Sequence, residues 1–129
     1  LLGIAQAAEY IGFLTLAAKI TIEKFLNKAP LPCIVHWGQN HFIVVYRISK
    51  SQVFVADPAK GLLKYSFQEF ESQWATTVID GERTGVALLL EPTAAFYEND
   101  TFAEKSSSAF LGLIIITSHT PTQATYFFF

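Results

Sequence analysis

Residues 33 to 66 contain four short segments that are rich in β-branched and aromatic side chains and are separated by turn-forming residues. The segments are CIVHW, HFIVVYRIS, QVFVADP and LLKYS, and a fifth, GVALLLEP, ends at Pro92. This spacing is typical of strands that are joined by tight turns, and such strands pair antiparallel because the turn reverses the chain. The sequence therefore predicts an antiparallel meander as the body of the fold.

Helical patterns precede and interrupt these strands. Apolar residues at 2, 5, 8 and 11 predict a short helix that ends at Gly12, and FLTLAAKI after it predicts a strand. Thr21 is placed to cap a second helix, TIEKFLNKA, which the following prolines terminate. In SFQEFESQW, Ser66 and Glu69 have the spacing of a capping box and predict an inserted helix. The expected fold class is therefore α+β, with helices packed on an antiparallel sheet.

The composition is that of one folded domain. The chain has 129 residues, 51% of them hydrophobic, and a net charge of −2, which is enough for a single core and gives no basic surplus for nucleic acid. We therefore expect no nucleic-acid partner. The single cysteine excludes an internal disulfide and fits a reducing compartment.

The periodicity stops after Pro92, and this divides the chain into three predicted segments. Residues 1–92 form the domain, residues 93–108 have the polar composition of a linker, and residues 109–129 are expected to be a disordered or non-native tail. The apolar run AFLGLIIIT in the tail is shorter than the roughly 20 residues that span a bilayer. We therefore interpret it as no more than the start of a link to a transmembrane segment.

His41 and Asp57 are the candidate chemical residues of the meander. Strict alternation assigns residues 41, 43, 45 and 47 to one face of the sheet and residues 42, 44, 46 and 48 to the other. The hairpin that turns near residues 50 and 51 returns Asp57 to the end of the sheet where His41 lies. With a two-residue loop, Asp57 would lie opposite Val44, about 10 Å of strand short of His41. A bulge, a longer loop or the bend at Pro58 has to close that gap.

Two roles are compatible with these residues. If the gap closes, Asp57 can accept a hydrogen bond from Nδ1–H of His41, which fixes the tautomer and leaves Nε2 as a general base. Alternatively, His41 is a partly buried histidine that bonds to a backbone group, and Asp57 begins the turn in DPAKG.

A general base needs a nucleophile, and Cys33 is the only thiol in the sequence. Its neighbours in LPCIVHW are apolar, and no glycine-rich turn or helix N-terminus is present to lower its pKa. The spacing of three between Cys33 and His36 sends their side chains to opposite faces of a strand, which argues against a dyad and against a zinc site with His41. We expect Cys33 to fill the core and His36 to be structural.

The order and spacing of these segments resemble those of a known family. LPCIVHW, HFIVVYRI, VADPAKGLLKYSFQEFESQW and GVALLLEP, in this order and after LLGIAQAAEYIGF, are similar to the bacteriocin-processing peptidases from about Leu2 to Pro92. These are papain-like cysteine peptidase domains at the cytosolic N-terminus of some ABC exporters, where they cut leader peptides after a double glycine. The resemblance implies a Cys-His-Asp triad in which His41 of the HF motif and Asp57 of the DP motif are catalytic.

The resemblance also implies what the chain lacks. The family's nucleophilic cysteine and oxyanion-hole glutamine lie in a helix upstream of LLGIAQAAE, so we expect a half-fold without that helix and no peptidase activity from this chain alone. The implied partners are the leader peptide of an exported cargo and the transmembrane and ATPase domains of an exporter, at the cytoplasmic face of the bacterial inner membrane. No cofactor is implied, because ATP would bind only in a separate transporter domain.

Two alternatives remain beside this interpretation. One is a degenerate docking domain that binds a leader peptide or the transporter without cutting. The other is an unrelated α+β binding module in which His41 and Asp57 are structural, and a hydrogen bond between these two side chains would contradict it.

Overall fold

One antiparallel sheet carries the fold of residues 1–98, the part of the chain that this computed structural model describes. In chain order the elements are α1 (Leu2–Tyr10), β1 (Phe13–Thr21), α2 (Ile22–Lys28), β2 (Cys33–Trp37), β3 (His41–Ile48), β4 (Gln52–Asp57), β5 (Gly61–Ser66), α3 (Phe67–Trp74), β6 (Thr77–Ile79), β7 (Glu82–Pro92) and α4 (Ala94–Glu98). The predicted α+β class, with helices packed on an antiparallel sheet, is confirmed.

The strand order in the sheet is β1-β7-β2-β3-β4-β5, and β6 pairs with the early part of β7. The last long strand of the described residues therefore lies between β1 and β2 rather than at an edge. Its segment Ala87–Leu90 is buried throughout, as expected of a strand that has a neighbour on each side and is covered on both faces. This central position explains why GVALLLEP reads as a continuous apolar run.

The predicted helix starts are confirmed by their caps. The side chain of Thr21 accepts a hydrogen bond from the backbone N–H of Lys24 at 3.4 Å and begins α2. At the start of α3, Ser66 Oγ accepts from the N–H of Glu69 at 3.2 Å, and Glu69 Oε2 accepts from the N–H of Ser66 at 2.8 Å. This reciprocal capping box lets α3 begin directly at the end of β5.

The structure adds a short hairpin that the sequence analysis did not predict. β6 pairs with the first residues of β7, which begins at Glu82 and not at GVALLLEP. Asp80 and Gly81 form the turn with φ of 51° and 82°, and this Asp-Gly pair was the available signal. β6 was missed because its residues are all exposed, so that they have no inward-facing alternation.

α4 (Ala94–Glu98) lies at the start of residues 93–108, the segment predicted to be a linker. Phe96 of α4 is buried, and its ring centroid lies 4.5 Å from that of Phe13. The backbone N–H and the side chain of Thr93 both donate to the carbonyl of Gly12, at 2.9 and 2.7 Å. These contacts hold the start of the segment against the turn between α1 and β1. The rest of the predicted linker and the predicted tail lie outside the described residues.

Helices cover both faces of the sheet. On the first face, Phe25 of α2 and Phe70 and Trp74 of α3 pack together with ring centroids 4.6 to 5.4 Å apart, over the buried side chains of Cys33, Val35, Ile43, Val45, Val53, Val55, Ala87 and Leu89. We call this side the α2/α3 face. On the other side, the α1/α4 face, the helices cover Ile34, Val44, Ala56, Leu88 and Leu90. Within residues 1–98, no helix is both long enough and apolar enough to cross a membrane.

We predict that Gly85→Ala destabilises the domain. A Cβ at Gly85 would overlap the indole ring of Trp74, which is buried and hydrogen-bonded through Nε1 to the carbonyl of Val86. We expect a loss of about 1–3 kcal/mol in the free energy of unfolding, measured by urea denaturation.

The matched control is Gly3→Ala in α1, where nothing lies within 4 Å of the added Cβ. This variant should be neutral or should gain up to about 1 kcal/mol from helix propensity. Equal stabilities of the two variants would contradict the close contact between Gly85 and Trp74.

Candidate active site

A β-bulge in the hairpin between β3 and β4 sets the position of Asp57. The N–H of Ser49 donates to the carbonyl of Gln52 at 2.9 Å, which leaves Lys50 and Ser51 as the expected two-residue loop. The register then skips Tyr46. When the register after the bulge is continued, Asp57 lies opposite Ile43 and not opposite Val44. The paired residues change from Arg47↔Phe54 and Ile48↔Val53 before the bulge to Val45↔Val55 and Val44↔Ala56 after it.

The bulge brings Asp57 to the same face of the sheet as His41. Because successive side chains of a strand alternate, a register shift of one residue moves a whole set of side chains to the other face. His41 lies two positions before Ile43 on the same strand and face. Only a diagonal step between neighbouring strands remains, and a long side chain spans such a step. Of the three possible ways of closing the gap, the structure therefore uses the bulge.

The same bulge corrects the predicted facing of the last residues of β3. Residues 41 to 46 have the predicted faces. Ile48 instead packs against the core of the α2/α3 face, and the guanidinium of Arg47 stacks on the ring of Phe54 at 3.7 Å. The predicted facing of residues 47 and 48 was wrong because strict alternation does not hold across a bulge.

His41 and Asp57 are hydrogen-bonded. Nε2 of His41 donates to Oδ1 of Asp57 at 2.8 Å, and the same oxygen accepts the backbone N–H of Ala59 at 2.8 Å. The Asp57 side chain is 3% exposed, whereas that of His41 is 40% exposed. A buried carboxylate thus orients an imidazole that solvent can reach.

The ring nitrogen that contacts Asp57 is Nε2, and the predicted contact through Nδ1 was wrong. Since Asp57 lies a diagonal step away, the more distant ring nitrogen makes the contact. A carboxylate only accepts hydrogen bonds, so neutral His41 carries its proton on Nε2 and has its lone pair on Nδ1. Nδ1 is therefore the nitrogen with which His41 can take up a proton.

The environment of Asp57 keeps its carboxyl group ionised. Burial on its own raises the pKa of Asp57, but hydrogen bonds from Ala59 and His41, the charge interaction with His41 and the backbone N–H of Lys60 lower it more. The net result is a pKa below the ordinary value of an aspartate. Asp57 thus remains an acceptor for His41 across the physiological pH range.

Cys33 is not part of this site. Its side chain is fully buried in the core of the α2/α3 face, and burial raises the pKa of its thiol far above the ordinary value. Cys33 pairs with Val45, whereas the partner of His41 is Trp37 at the other end of β2. Four residues of strand separate the two positions by about 13 Å. The expectation that Cys33 fills the core is confirmed.

His36 belongs to the scaffold of the β2–β3 hairpin. Its Nε2 lies 3.0 Å from the carbonyl oxygen of Gln39, and its ring centroid is 5.0 Å from that of Phe42. Within residues 1–98, no group of three or more His, Cys, Asp or Glu side chains is arranged to hold a metal ion.

Two aromatic neighbours of the site, Trp37 and Tyr65, were not predicted from the sequence. Trp37 pairs directly with His41, and its ring centroid lies 5.1 Å from that of Tyr65 on β5. Burial and the charges of Asp57 and Glu69 raise the pKa of Tyr65. The short WGQNH loop was a signal for the pairing of Trp37 with His41, but the position of Tyr65 depends on the register of three further strands.

Comparisons with known proteins identify a family for this chain. The model of the Peptidase C39 family matches residues 1–93. The lactococcin-G-processing and transport ATP-binding protein LagD of Lactococcus lactis subsp. lactis is 33% identical over 99 residues, which are 73% of this chain and 13% of that protein. The colicin V secretion/processing ATP-binding protein CvaB of Escherichia coli is 31% identical over 96 residues, which are 74% of this chain and 12% of that protein. The chain therefore spans only a small part of the length of these relatives.

Two solved structures are similar to the fold. A double glycine motif protease from an AMS/PCAT transporter, crystallised with the leader peptide, superposes with a TM-score of 0.58 and 32% identity over 71% of this chain and 59% of that one. The peptidase domain of Streptococcus mutans ComA, in complex with a small-molecule inhibitor, has a TM-score of 0.57 and 29% identity over 70% of this chain and 73% of that one. Together with the hydrogen bond between His41 and Asp57, these similarities exclude an unrelated binding module.

We predict that Asp57 makes the domain sensitive to acid. Because the pKa of Asp57 is lower in the folded chain than in the unfolded chain, the unfolded state takes up the proton first as the pH falls. The contribution of Asp57 to stability is therefore complete above about pH 4, the ordinary range of an aspartate, and is lost as the pH falls towards the lower folded value. Each pKa unit of difference is worth about 1.4 kcal/mol.

The measurement is the free energy of unfolding by urea at pH 6 and at pH 3. The wild-type chain should lose more stability between these two values than Asp57→Asn does. Asp80→Asn, in the exposed turn between β6 and β7, is the control and should follow the wild type. Parallel curves for Asp57→Asn and the wild type would refute the prediction.

Proposed function

The chain belongs to the peptidase C39 family, and we propose that it supplies the general base and its orienting carboxylate to a cysteine peptidase that removes double-glycine leader peptides from exported cargo. The observation that carries the proposal is the 2.8 Å hydrogen bond between Nε2 of His41 and Oδ1 of Asp57. Both residues stand where the family resemblance expects the histidine and the aspartate of a Cys-His-Asp triad. The leader-peptide complex of a similar protease supports the substrate class.

In the proposed mechanism, His41 is the catalytic residue that this chain contributes. Its Nδ1 takes the proton of a thiol, and the thiolate attacks the carbonyl carbon of the second glycine. The imidazolium that forms is stabilised by Asp57 through Nε2–H. When the tetrahedral intermediate collapses, Nδ1–H gives the proton to the leaving amine of the cargo, and the leader remains as a thioester. Water, deprotonated by Nδ1, then hydrolyses the thioester and restores the thiol.

Asp57 acts as a positioning residue in this scheme. Oδ1 accepts two hydrogen bonds, one from Nε2 of His41 and one from the N–H of Ala59. The backbone bond fixes the carboxylate, and the carboxylate in turn fixes the orientation of the imidazole and keeps the lone pair on Nδ1. Because both bonds go to one oxygen, an asparagine amide oxygen could accept them in the same place.

We place the nucleophile outside these 129 residues. The sequence has one cysteine, and Cys33 is buried in the core, about 13 Å of strand away from the position paired with His41. The oxyanion-hole donor that the resemblance implies would come from the same additional segment. The proposed enzyme therefore requires a thiol-bearing helix that packs beside the exposed side of His41.

The proposed partners are the leader peptide and the other parts of an exporter. Two of the relatives are named as processing and transport, or secretion and processing, ATP-binding proteins. We propose by analogy that this domain works beside transmembrane and ATPase domains, at the cytoplasmic face of a bacterial inner membrane. No cofactor takes part in the proposed reaction of the peptidase domain itself.

A second candidate function is docking without cleavage. The burial of the only thiol of the chain is the observation that favours it. In this alternative the domain binds a leader peptide or the transporter, and the hydrogen bond between His41 and Asp57 only maintains the fold. The two functions differ in whether removal of His41 abolishes cleavage once a thiol is supplied.

We predict that the 129-residue chain alone does not cleave a double-glycine leader peptide. The reason is that the Cys33 thiol is inaccessible and has a raised pKa. The chain is incubated with a fluorogenic leader peptide, and Cys33→Ala is assayed in parallel. Both proteins should show the same cleavage rate as a control without protein. Cleavage that disappears in Cys33→Ala would overturn the exclusion of Cys33.

We predict that His41 is essential once a thiol is present. The test uses a chimera in which residues 1–93 replace the matching region of a double-glycine motif protease, so that the relative supplies the thiol. The substrate has alanine after the double glycine. His41→Ala should lower kcat/KM by about 10²–10⁴-fold, the usual contribution of general acid–base catalysis. Asp57→Ala should lower it substantially, and Asp57→Asn less, because the amide oxygen retains both hydrogen bonds.

The control is His36→Ala, which removes the other histidine of the same hairpin. It should leave kcat/KM within about threefold, because the contacts of His36 with Gln39 and Phe42 belong to the scaffold of the hairpin. If the chimera cleaves and His41→Ala cleaves equally well, the proposed mechanism is wrong. If the chimera binds the leader peptide without cleaving it, the docking function is supported instead.

A further inference from the structure

A concave surface lies where β3 ends, at the opposite end of that strand from His41. The cleft has a volume of about 560 Å³ and is formed by the last turn of α2, the segment that follows it, and the turn between β3 and β4. Protein clefts of roughly 300–1,000 Å³ are the size that holds ligand groups. The apolar residues of its lining, which also pack against the core of the α2/α3 face, are Leu26, Ala29, Leu31 and Ile48.

The charged residues of this cleft are basic. Arg47 and Lys50 belong to the lining, and no aspartate or glutamate does. Helix α2 has Glu23 in its first turn and Lys28 in its last turn, and it is the last turn that borders the cleft. Within residues 1–98, neither Arg47 nor Lys50 forms an ion pair. We call this surface the basic cleft.

Local contacts hold both cations of the basic cleft. The guanidinium of Arg47 stacks on the ring of Phe54 at 3.7 Å. Stacking uses the face of the guanidinium, so the N–H groups at its edge stay available to a carboxylate. Oγ of Ser49 accepts the N–H of Gln52 at 3.1 Å, which closes the turn that carries Lys50. The basic cleft therefore suits a carboxylate that lies beside an apolar side chain.

The β6–β7 hairpin of the same chain carries such a pair of side chains. Residues 76–83 are all exposed. Ile79 pairs with Glu82, and Val78 pairs with Arg83. Because directly paired residues lie on the same face of a sheet, Ile79 and Glu82 form one face, and Val78 and Arg83 form the other. We call the pair of Ile79 and Glu82 the acidic hairpin face.

The basic cleft and the acidic hairpin face cannot meet within one molecule. Leu89 of β7 pairs with Cys33, and Cys33 pairs with Val45 of β3, so this row crosses the sheet. Glu82 lies seven residues before the row on β7, about 23 Å of strand. Lys50 lies beyond the row in the opposite direction, because β3 and β7 run the same way on either side of β2. A contact between the two surfaces therefore needs two copies of the chain.

We propose that the chain associates head to tail, with the acidic hairpin face of one copy in the basic cleft of a second copy. In this contact Ile79 packs on the apolar floor, and Glu82 pairs with Arg47 and Lys50. The contact joins two different surfaces and is heterologous, so each end of an assembly keeps one surface free for a further copy. A short hairpin buries less area than a standard interface, and we expect a weak association with a Kd of about 0.1 mM.

The test follows the 129-residue chain by NMR and by sedimentation equilibrium over a dilution series that ends at about 1 mM, well above the expected Kd. The amide signals of residues 47–50 and 77–82 should shift together as the concentration rises. A spectrum that does not change with concentration would refute the association. Shifts at only one of the two surfaces, or only along the edge strand β1, would show a contact between like surfaces and would also overturn the proposal.

Two charge reversals test whether the contact is heterologous. Lys50→Glu changes the cleft and leaves the hairpin intact, whereas Glu82→Lys changes the hairpin and leaves the cleft intact. Each variant alone should self-associate with a Kd about fivefold higher than the wild type, which is the effect of an exposed ion pair. An equimolar mixture should form a dimer with the wild-type Kd, because the intact hairpin of one variant meets the intact cleft of the other.

Lys19→Glu is the matched control for Lys50→Glu. It makes the same change of charge at an exposed position of β1 that lies outside both surfaces, and it should leave the Kd within about twofold of the wild type. Positions 19, 50 and 82 are all exposed, so the reversals leave the packing of the core intact. Equal effects of Lys19→Glu and Lys50→Glu, or a mixture that associates no better than its components, would contradict the head-to-tail contact.

This contact goes beyond the proposed peptidase function and does not depend on it. Neither the basic cleft nor the acidic hairpin face contains His41 or Asp57. The chimera assay decides the role of His41, and the dilution series with its mixed variants decides the contact. A failure of one is therefore distinguishable from a failure of the other.

Discussion

The position of Asp57 beside His41 depends on one residue, Tyr46, which the pairing of β3 with β4 skips. Without the bulge at Tyr46, the two-residue loop of the hairpin would align Asp57 with Val44 and direct its side chain to the α1/α4 face. With the bulge, the register shifts by one residue, and Asp57 reaches the side of the sheet that carries His41. Bulges redirect side chains in this way because one extra residue inverts the alternation beyond it. The cost is local, since Ile48 and Arg47 exchange faces and find contacts in the core and on Phe54.

The surrounding core makes this arrangement rigid. β3 and β4 are interior strands of the sheet, and Val45 and Val55, which pair next to the bulge, are fully buried. The aromatic cluster of Phe25, Phe70 and Trp74 covers them. A close-packed interior of this kind permits few alternative registers, because a slip would expose a whole row of apolar side chains. The hydrogen bond of His41 is thus held by the packing of residues that take no part in the chemistry.

The shared oxygen of Asp57 explains how a buried carboxylate is tolerated at the sheet end. Burial disfavours the charged form, but hydrogen bonds from Ala59, His41 and the following turn offset it. Ala59 and Lys60 belong to the turn formed by DPAKG, and His41 belongs to the neighbouring strand β3. The two roles considered for Asp57 are therefore not exclusive. It begins the turn, and the turn is what fixes it as a partner for His41.

The local elements of this protein could be predicted from the sequence because their signals are local. Cap residues such as Thr21 and Ser66, period-two segments and turn residues act over a few positions, and the α+β fold follows from their succession. The order of motifs also indicated the family and the pair His41 and Asp57. Cys33 could be excluded as the nucleophile because its neighbours are apolar and because a spacing of three on a strand directs its side chain away from that of His36.

Tertiary structure alone decided the remaining features. The bulge at Tyr46, the use of Nε2 in place of Nδ1, and the contact of Trp37 with Tyr65 all depend on which residues of different strands face each other. The exposed strand β6 became recognisable only through its pairing with β7. Register is set by the packing of complete sheet faces, so no segment of the sequence contains it by itself. For that reason the sequence determined which residues are candidates, and the packed sheet determined how they meet.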